Sequence, residues 1–337
     1  MKKKATLADV AAAAGVSKMT ASRALRGVRD VSKINIARVR EAAQELGYVG
    51  NFLAASLSSQ RSDLIGVVVP NLTNIVFAQV LSGISEGIAG SGVQPVFGVT
   101  DYDLDKEYDI IRNMLSWQPA GLIVTGLDLP EQTRRLLENA EIPVVQIMDV
   151  DGDPVDACVG FSHIRSGEEI AQALLGAGLR KFGYAGCALT MDVRAAKRRI
   201  GFQRALIQNG LDFVEEVEAF ELSSIAAGRS LTEQLLTKAP DLDCIYYSND
   251  DVAAGGLFYC IEAGIAVPDQ VALAGFNGLS IASGFPGRIA TVRTPRREIG
   301  KQAAGIICSA LEGKVVSGTS VELVPQVDLG LLEGRRG

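Results

Sequence analysis

Histidine is almost missing from this chain: His163 is the only one in 337 residues. One imidazole cannot build a histidine metal cluster, and it leaves a Ser-His-Asp triad poorly supported. The five cysteines, Cys158, Cys187, Cys244, Cys260 and Cys308, are odd in number, widely spaced and form no C-x-x-C pair. They read as reduced, buried thiols of a cytosolic protein and not as a disulfide framework. No apolar run is long enough to span a bilayer. The Met1-Lys2-Lys3-Lys4 start is basic like a leader, but Asp9 breaks the apolar stretch behind it and Gly15 and Lys18 end it. These absences predict a cytoplasmic protein with no metal, no cofactor and no membrane partner.

What is present is unevenly charged. Residues 1–62 carry eleven Lys or Arg against four acids, a net +7, whereas the remainder carries −13. A basic head on an acidic body is the asymmetry expected when only the head meets phosphate. The whole-chain pI near 5.1 hides it. With 47% apolar residues the chain has material for more than one core.

The head has a local pattern to match its charge. Leu7, Val10, Ala11 and Ala14 fall on one helix face, with Thr6 placed to cap the start and Gly15 to end it. Ser17 then caps a second helix, Lys18 to about Leu25, with Ala21, Ala24 and Leu25 inward and Lys18, Met19, Ser22 and Arg23 outward. This is the helix-turn-helix layout, whose second helix enters the major groove. Two ordinary amphipathic helices would satisfy the same spacing, and charge favours DNA. A third helix is expected over Ile36–Leu46, capped by Asn35, with Ile36, Val39, Ala43 and Leu46 inward. The stretch Asn51–Ser59 is a linker. Within it Leu57 has two readings: a wedge into a minor-groove step, or a tether residue in passing contact.

From Asp63 the chain alternates apolar strands with helices, pauses after Cys158-Val159-Gly160-Phe161, and begins the alternation again at Ser166. That predicts parallel sheets covered on both faces, in two lobes. Ligands in such sheets bind beyond the carboxyl ends of the strands. Those ends name Asn71 and the following Phe77, then Asp101, Asp149, Phe161, Asn249, Asp250 and Asn277, although polar residues there also serve as plain turn formers. The run Arg194, Lys197, Arg198, Arg199 sits on a helix near the same place, and one or two of its cations can face an anion.

These residues together resemble the lactose/galactose-repressor (LacI/GalR) family over essentially the whole chain. The resemblance is carried by Thr6-Leu7-Ala8-Asp9-Val10-Ala11, Ala14-Gly15-Val16-Ser17, Thr20-Ala21-Ser22-Arg23, Leu46-Gly47-Tyr48, Asn51 and Ile65-Gly66-Val67. In the second half it is carried by Asn249-Asp250, Val267-Pro268, Gly275-Phe276 and Thr291-Val292. Within the family, Lys18-Met19-Thr20, Pro70-Asn71-Leu72-Thr73-Asn74, Met114-Leu115-Ser116-Trp117 and Thr294-Pro295-Arg296 resemble the gluconate-utilisation repressors. Gly50, where the family usually has proline, departs from the pattern and loosens the linker. Asn35-Ile36-Ala37 departs at the third helix.

The resemblance implies an all-α helix-turn-helix head on a two-lobed α/β core of the periplasmic-binding-protein type. It implies a domain at 1–50, a hinge at 51–62, a first lobe at 63–161 plus about 291–325, and a second at 162–290 plus about 326–337. It implies a homodimeric repressor on a palindromic double-stranded operator, with a sugar acid such as gluconate as effector. Lys18, Met19 and Arg23 would read bases; Thr6, Ser17, Ser22 and Asn51 would hold phosphates; Leu57 would take the wedge position. In the cleft Arg198 would hold a carboxylate. Asn277 stands where sugar repressors have aspartate, which removes a charge that would repel an acid. Phe77 and Phe161 would give apolar walls, and Asn249, Asp250 and Thr294 would meet hydroxyls, with Asp149 and Ser223 beside them. The chain ends without heptads, which implies a dimer and not a tetramer. A sugar binder with no DNA role and an enzyme acting on a sugar acid are the rival classes. The basic head argues against the first, and the lack of a coherent nucleophile, base or metal set against the second.

Overall fold

The structure is a computed structural model that describes residues 5–25, 30–49, 62–72, 74–284 and 289–333. It divides into a head, residues 1–62, and a core, residues 63–337.

Among its described residues the head has three helices: α1 (Leu7–Ala14), α2 (Lys18–Leu25) and α3 (Lys33–Glu45). Thr6 caps α1, its Oγ1 accepting from the Asp9 amide while the Asp9 carboxylate accepts from the Thr6 amide, a reciprocal box. Gly15 ends α1 at φ 67°, in the left-handed region that glycine enters without strain. Ser17 Oγ accepts from the Thr20 amide at 3.1 Å and starts α2. Val10, Ala11, Ala14, Ala21, Ala24 and Val39 close the core of the head. The third helix differs from expectation. It starts at Lys33, and Ser32, not Asn35, is its cap, because the serine hydroxyl accepts from the Asn35 amide. Leu46 lies at the frayed end and is exposed.

Among its described residues the core holds two parallel sheets. The first runs in the order β11-β5-β4-β3-β1-β2, from Ser320–Glu322, Ala157–Gly160, Val144–Ile147, Gly121–Thr125, Leu64–Val69 and Gln94–Val99. Helices α4 (Ile75–Gly87), α5 (Leu104–Ser116) and α6 (Glu131–Glu138) connect its strands. Strands β3, β4 and β5 are buried along their whole length, as a doubly covered sheet requires. Pro95 is tolerated because β2 is an edge.

The second sheet runs β7-β6-β8-β9, from Phe213–Ala219, Phe182–Cys187, Cys244–Tyr247 and Ala272–Ala274. Its helices are α7 (His163–Gly176), α8 (Val193–Gln208), α9 (Ile225–Lys238), α10 (Asp250–Ala263) and the short α11 (Ser280–Gly284). Strand β7 begins four residues before the expected Val217. Its charged residues hid it: Glu215 pairs with Lys238 and Glu216 with Arg199 along an edge.

The chain then returns. Strand β10 (Thr291–Arg293) lies beside the end of β9, with the Gly275 and Asn277 amides donating to Ala290 and Val292. Helix α12 (Arg296–Leu311) packs on the first sheet and on α4, β11 joins β5, and β12 (Gln326–Asp328) pairs back with β10. The chain leaves the second sheet's edge after Arg293. No described helix is long and apolar enough to cross a membrane.

Candidate functional site

In the head, α2 presents Lys18, Met19 and Arg23 to solvent, with Met19 67% exposed. Arg23 Nη1 donates to Asp30 at 2.7 Å. Thr6 and Ser17 use their hydroxyls as caps, and their exposure leaves them able to approach phosphate as well. Ser22 sits half-buried on the same helix. Asn51 and Leu57 lie outside the described residues, with the rest of the expected hinge up to residue 61. An exposed basic and apolar face at the N-terminal end of a second helix suits major-groove entry.

In the core a cavity of about 240 Å³ lies between the lobes, at the carboxyl ends of both sheets. Four residues that line it, Tyr102, Met148, Ala188 and Asn277, are non-glycine residues at positive φ (62°, 72°, 46° and 110°), each just beyond a strand. Such backbone is uncommon for side chains larger than hydrogen and concentrates at functional sites.

Helix α8 supplies the cations. Arg194 and Arg198, one turn apart, both line the cavity. Arg198 is 5% exposed. Its Nη2 donates to the Ser248 carbonyl at 2.8 Å, and its guanidinium lies 4.3 Å from the Phe276 ring centroid. Its Nε has no hydrogen-bond partner. The other nitrogen, Nη1, meets Nδ1 of His163 at 3.1 Å. His163 Nε2 contacts the Met148 carbonyl at 2.7 Å. A carbonyl only accepts, so the imidazole proton is on Nε2 and Nδ1 accepts from Arg198. Burial, then the Arg198 charge, hold the His163 pKa well below its ordinary 6.5. The contact is possible because Gly167 and Gly201 let α7 and α8 touch; a Cβ at Gly201 would overlap the carbonyl of Ile164.

Lys197, on the same helix, reaches across the cleft. Its Nζ donates to Asp128 at 2.6 Å, to Asp149 at 2.7 Å and to the Asp151 carbonyl at 3.0 Å. Burial opposes the ammonium, but the hydrogen bonds to the two carboxylates outweigh it and raise its pKa.

The expected effector residues therefore separate. Phe77, Arg198, Asn249 and Asn277 line the cavity, as does Ser223. Asn249 also caps α10 and donates to Ser223 Oγ at 2.7 Å. The other four expected residues lie behind the wall. Asp149 is fully buried as the counter-ion of Lys197. Phe161 packs under His163, with centroids 4.4 Å apart. Asp250 accepts from the Leu279 amide and Thr291 Oγ1, and burial pushes its carboxyl up to about 7. Thr294 donates to the Asn277 carbonyl at 3.3 Å. None of these four lines the cavity in this structure; each is engaged by a protein neighbour. Sequence reasoning gave no ligand role to His163, and it missed Tyr102, Asp192 and Asp251 on the wall. Their signal was position just beyond a strand, which His163 and Tyr102 share with residues that were found.

Known proteins bear on both units. Residues 6–51 match the bacterial regulatory proteins of the lacI family, and residues 62–322 match the periplasmic binding proteins and sugar binding domain of the LacI family. The chain is 40% identical over 319 residues to the HTH-type transcriptional regulator GntR of Pseudomonas aeruginosa, covering 94% of this chain and 92% of that one. It is 35% identical to the regulator GntR of Escherichia coli K12, with 96% of each covered. A crystal structure of a LacI-family transcriptional regulator from Silicibacter pomeroyi superposes with a TM-score of 0.91 at 47% identity, over 97% of this chain and 98% of that one. The exposed α2 face, the interlobe cavity and these matches over both units make one conclusion: the chain belongs to the LacI family and is a DNA-binding transcriptional regulator.

Proposed function

We propose that the protein is a homodimeric repressor of sugar-acid catabolism whose grip on a palindromic operator is set by a sugar acid, gluconate or a close relative, in the interlobe cavity. One observation carries the effector class. Two guanidinium groups one helical turn apart line the same cavity as Asp192 and Asp251, and the strand-end residue beside them is Asn277, not a third carboxylate. Like charges at that spacing cost about 0.2–0.5 kcal/mol even in water. A carboxylate relieves them and matches the guanidinium fork. The regulators named GntR that resemble this chain support the same ligand class.

The reading divides the chain as a head at 1–50, a hinge at 51–62 and two lobes, and it places the protein in the cytoplasm with its DNA. An effector touching both lobes favours the closed core by binding it more tightly than the open one. In this reading closure unpairs the hinges and releases the operator. Catalysis has no part in it. His163, with both ring nitrogens engaged and its pKa held low, is no general base.

The test is operator binding, with DNA taken from beside the protein's own gene, titrated with gluconate at fixed salt. Release by gluconate in the wild type, and not in Arg198→Ala, is expected. Tighter binding with gluconate makes the acid a corepressor, and no operator binding under any condition sinks the repressor reading.

A further inference from the structure

A second cavity, about 140 Å³, lies in the same cleft on the far side of Tyr102 and Arg194, which line both spaces. Its walls come from both lobes: Glu107 and Asp128 from the first, Thr190 and Val193 from the second. Glu107 is 9% exposed, and its Oε1 has no hydrogen-bond partner. An unpartnered buried oxygen is costly and wants a donor. We propose that this cavity is a subsite for an uncharged polyol segment, the hydroxylated tail of the effector, read through Glu107.

The charges decide the class. A second anion meets no free cation at Asp128, which is paired with Lys197, and is repelled by Glu107 whenever that carboxyl is ionised. A cation is repelled by Arg194, which lines the same cavity as Glu107. Hydroxyl groups remain, and they both donate and accept. Burial raises the Glu107 carboxyl to about 7, against the pull of Arg194, so near neutrality it also offers both roles. Thr190 and Tyr102 supply further hydroxyls, and Val193 and Leu129 suit the C–H face of a polyol. Asp101 and Tyr102, successive non-glycine residues at φ 55° and 62°, hold the tyrosine between the two spaces. The inference rests on the effector reading only for the place of the carboxylate, at Arg198.

Calorimetric titration of the full chain with glycerate, gluconate and the neutral polyol xylitol tests it. The wild type is expected to prefer gluconate over glycerate by about tenfold or more, a step of 1.4 kcal/mol. In Glu107→Leu that preference collapses to within about twofold, and in Glu107→Gln, which keeps shape and hydrogen bonding, it survives. A preference that persists in Glu107→Leu overturns the subsite and leaves the carboxylate at Arg198 standing. If neither acid binds the wild type, the effector reading fails by itself and xylitol decides. Xylitol binding that needs Glu107 but not Arg198 supports the subsite, and no such binding overturns it.

Discussion

Arg198 donates to Nδ1 of His163 at 3.1 Å, and that single contact fixes the imidazole as a neutral acceptor beside the interlobe cavity. His163→Phe removes the acceptor and frees the guanidinium to turn. Effector affinity is expected to fall about tenfold or more, the worth of a charge-assisted hydrogen bond, while operator binding without effector is kept. Calorimetry and gel shift read the two.

The same residue predicts a pH effect. His163 has its folded pKa lowered from 6.5, by burial first and then by Arg198. Its stabilising share is therefore present above 6.5 and lost as pH falls. Urea unfolding between pH 8 and pH 5 should cost the wild type more than His163→Phe. An equal loss would mean that the imidazole is protonated in the folded protein.

Glu107 predicts the opposite slope. Its pKa is raised from 4.5 to about 7 by burial. Its share is present below 4.5 and is lost as pH rises through 7. Glu107→Gln should match the wild type near pH 4 and exceed it by about 1–3 kcal/mol at pH 8, the usual cost of an unsatisfied buried group. Chemical denaturation at the two pH values checks it.

Lys197 neutralises a carboxylate that solvent does not reach, since Asp149 is 0% exposed. Lys197→Met should cost about 3–5 kcal/mol, because it strands that charge. Asp149→Asn in the same chain should recover most of the loss. Melting curves of the two variants decide, and absence of recovery would show that the lysine matters for its packing alone.

In the head, Arg23 is held by Asp30 at 2.7 Å. Arg23→Ala should cost about 1–3 kcal/mol at one operator base pair and relax choice there. Asp30→Ala should tighten binding by releasing the guanidinium. Lys18→Ala should lower the salt slope of binding by about one. A set of operators with single base changes, titrated at several salt concentrations, separates the three.

How much was readable in the sequence depended on how local each feature is. The Thr6, Gly15 and Ser17 signals are made by residues three or four apart, and the helix-turn-helix formed where they placed it. Fully apolar strands announced the parallel sheets, strand ends in two lobes announced the cleft, and the family resemblance singled out Arg198 and Asn277, which line it. Ser32 displaced Asn35 as a cap because either side chain can start a helix, and only the backbone chooses. Strand β7 escaped because its glutamates pair along an edge with cations from distant helices.

Local periodicity and caps, which act within a few residues, determined the head and the α/β alternation. The tertiary structure decided which strand-end residues line the cavity and which pair with protein neighbours. Asp149 and Asp250 carry the same carboxyl as a hydroxyl-binding residue would, but Lys197 and Thr291 had to arrive from 48 and 41 residues away to claim them. Gly167 and Gly201 had to bring two helices into contact before the lone histidine could meet Arg198. Charge pairing and burial are set by the folded neighbourhood, which the order of residues along the chain does not display.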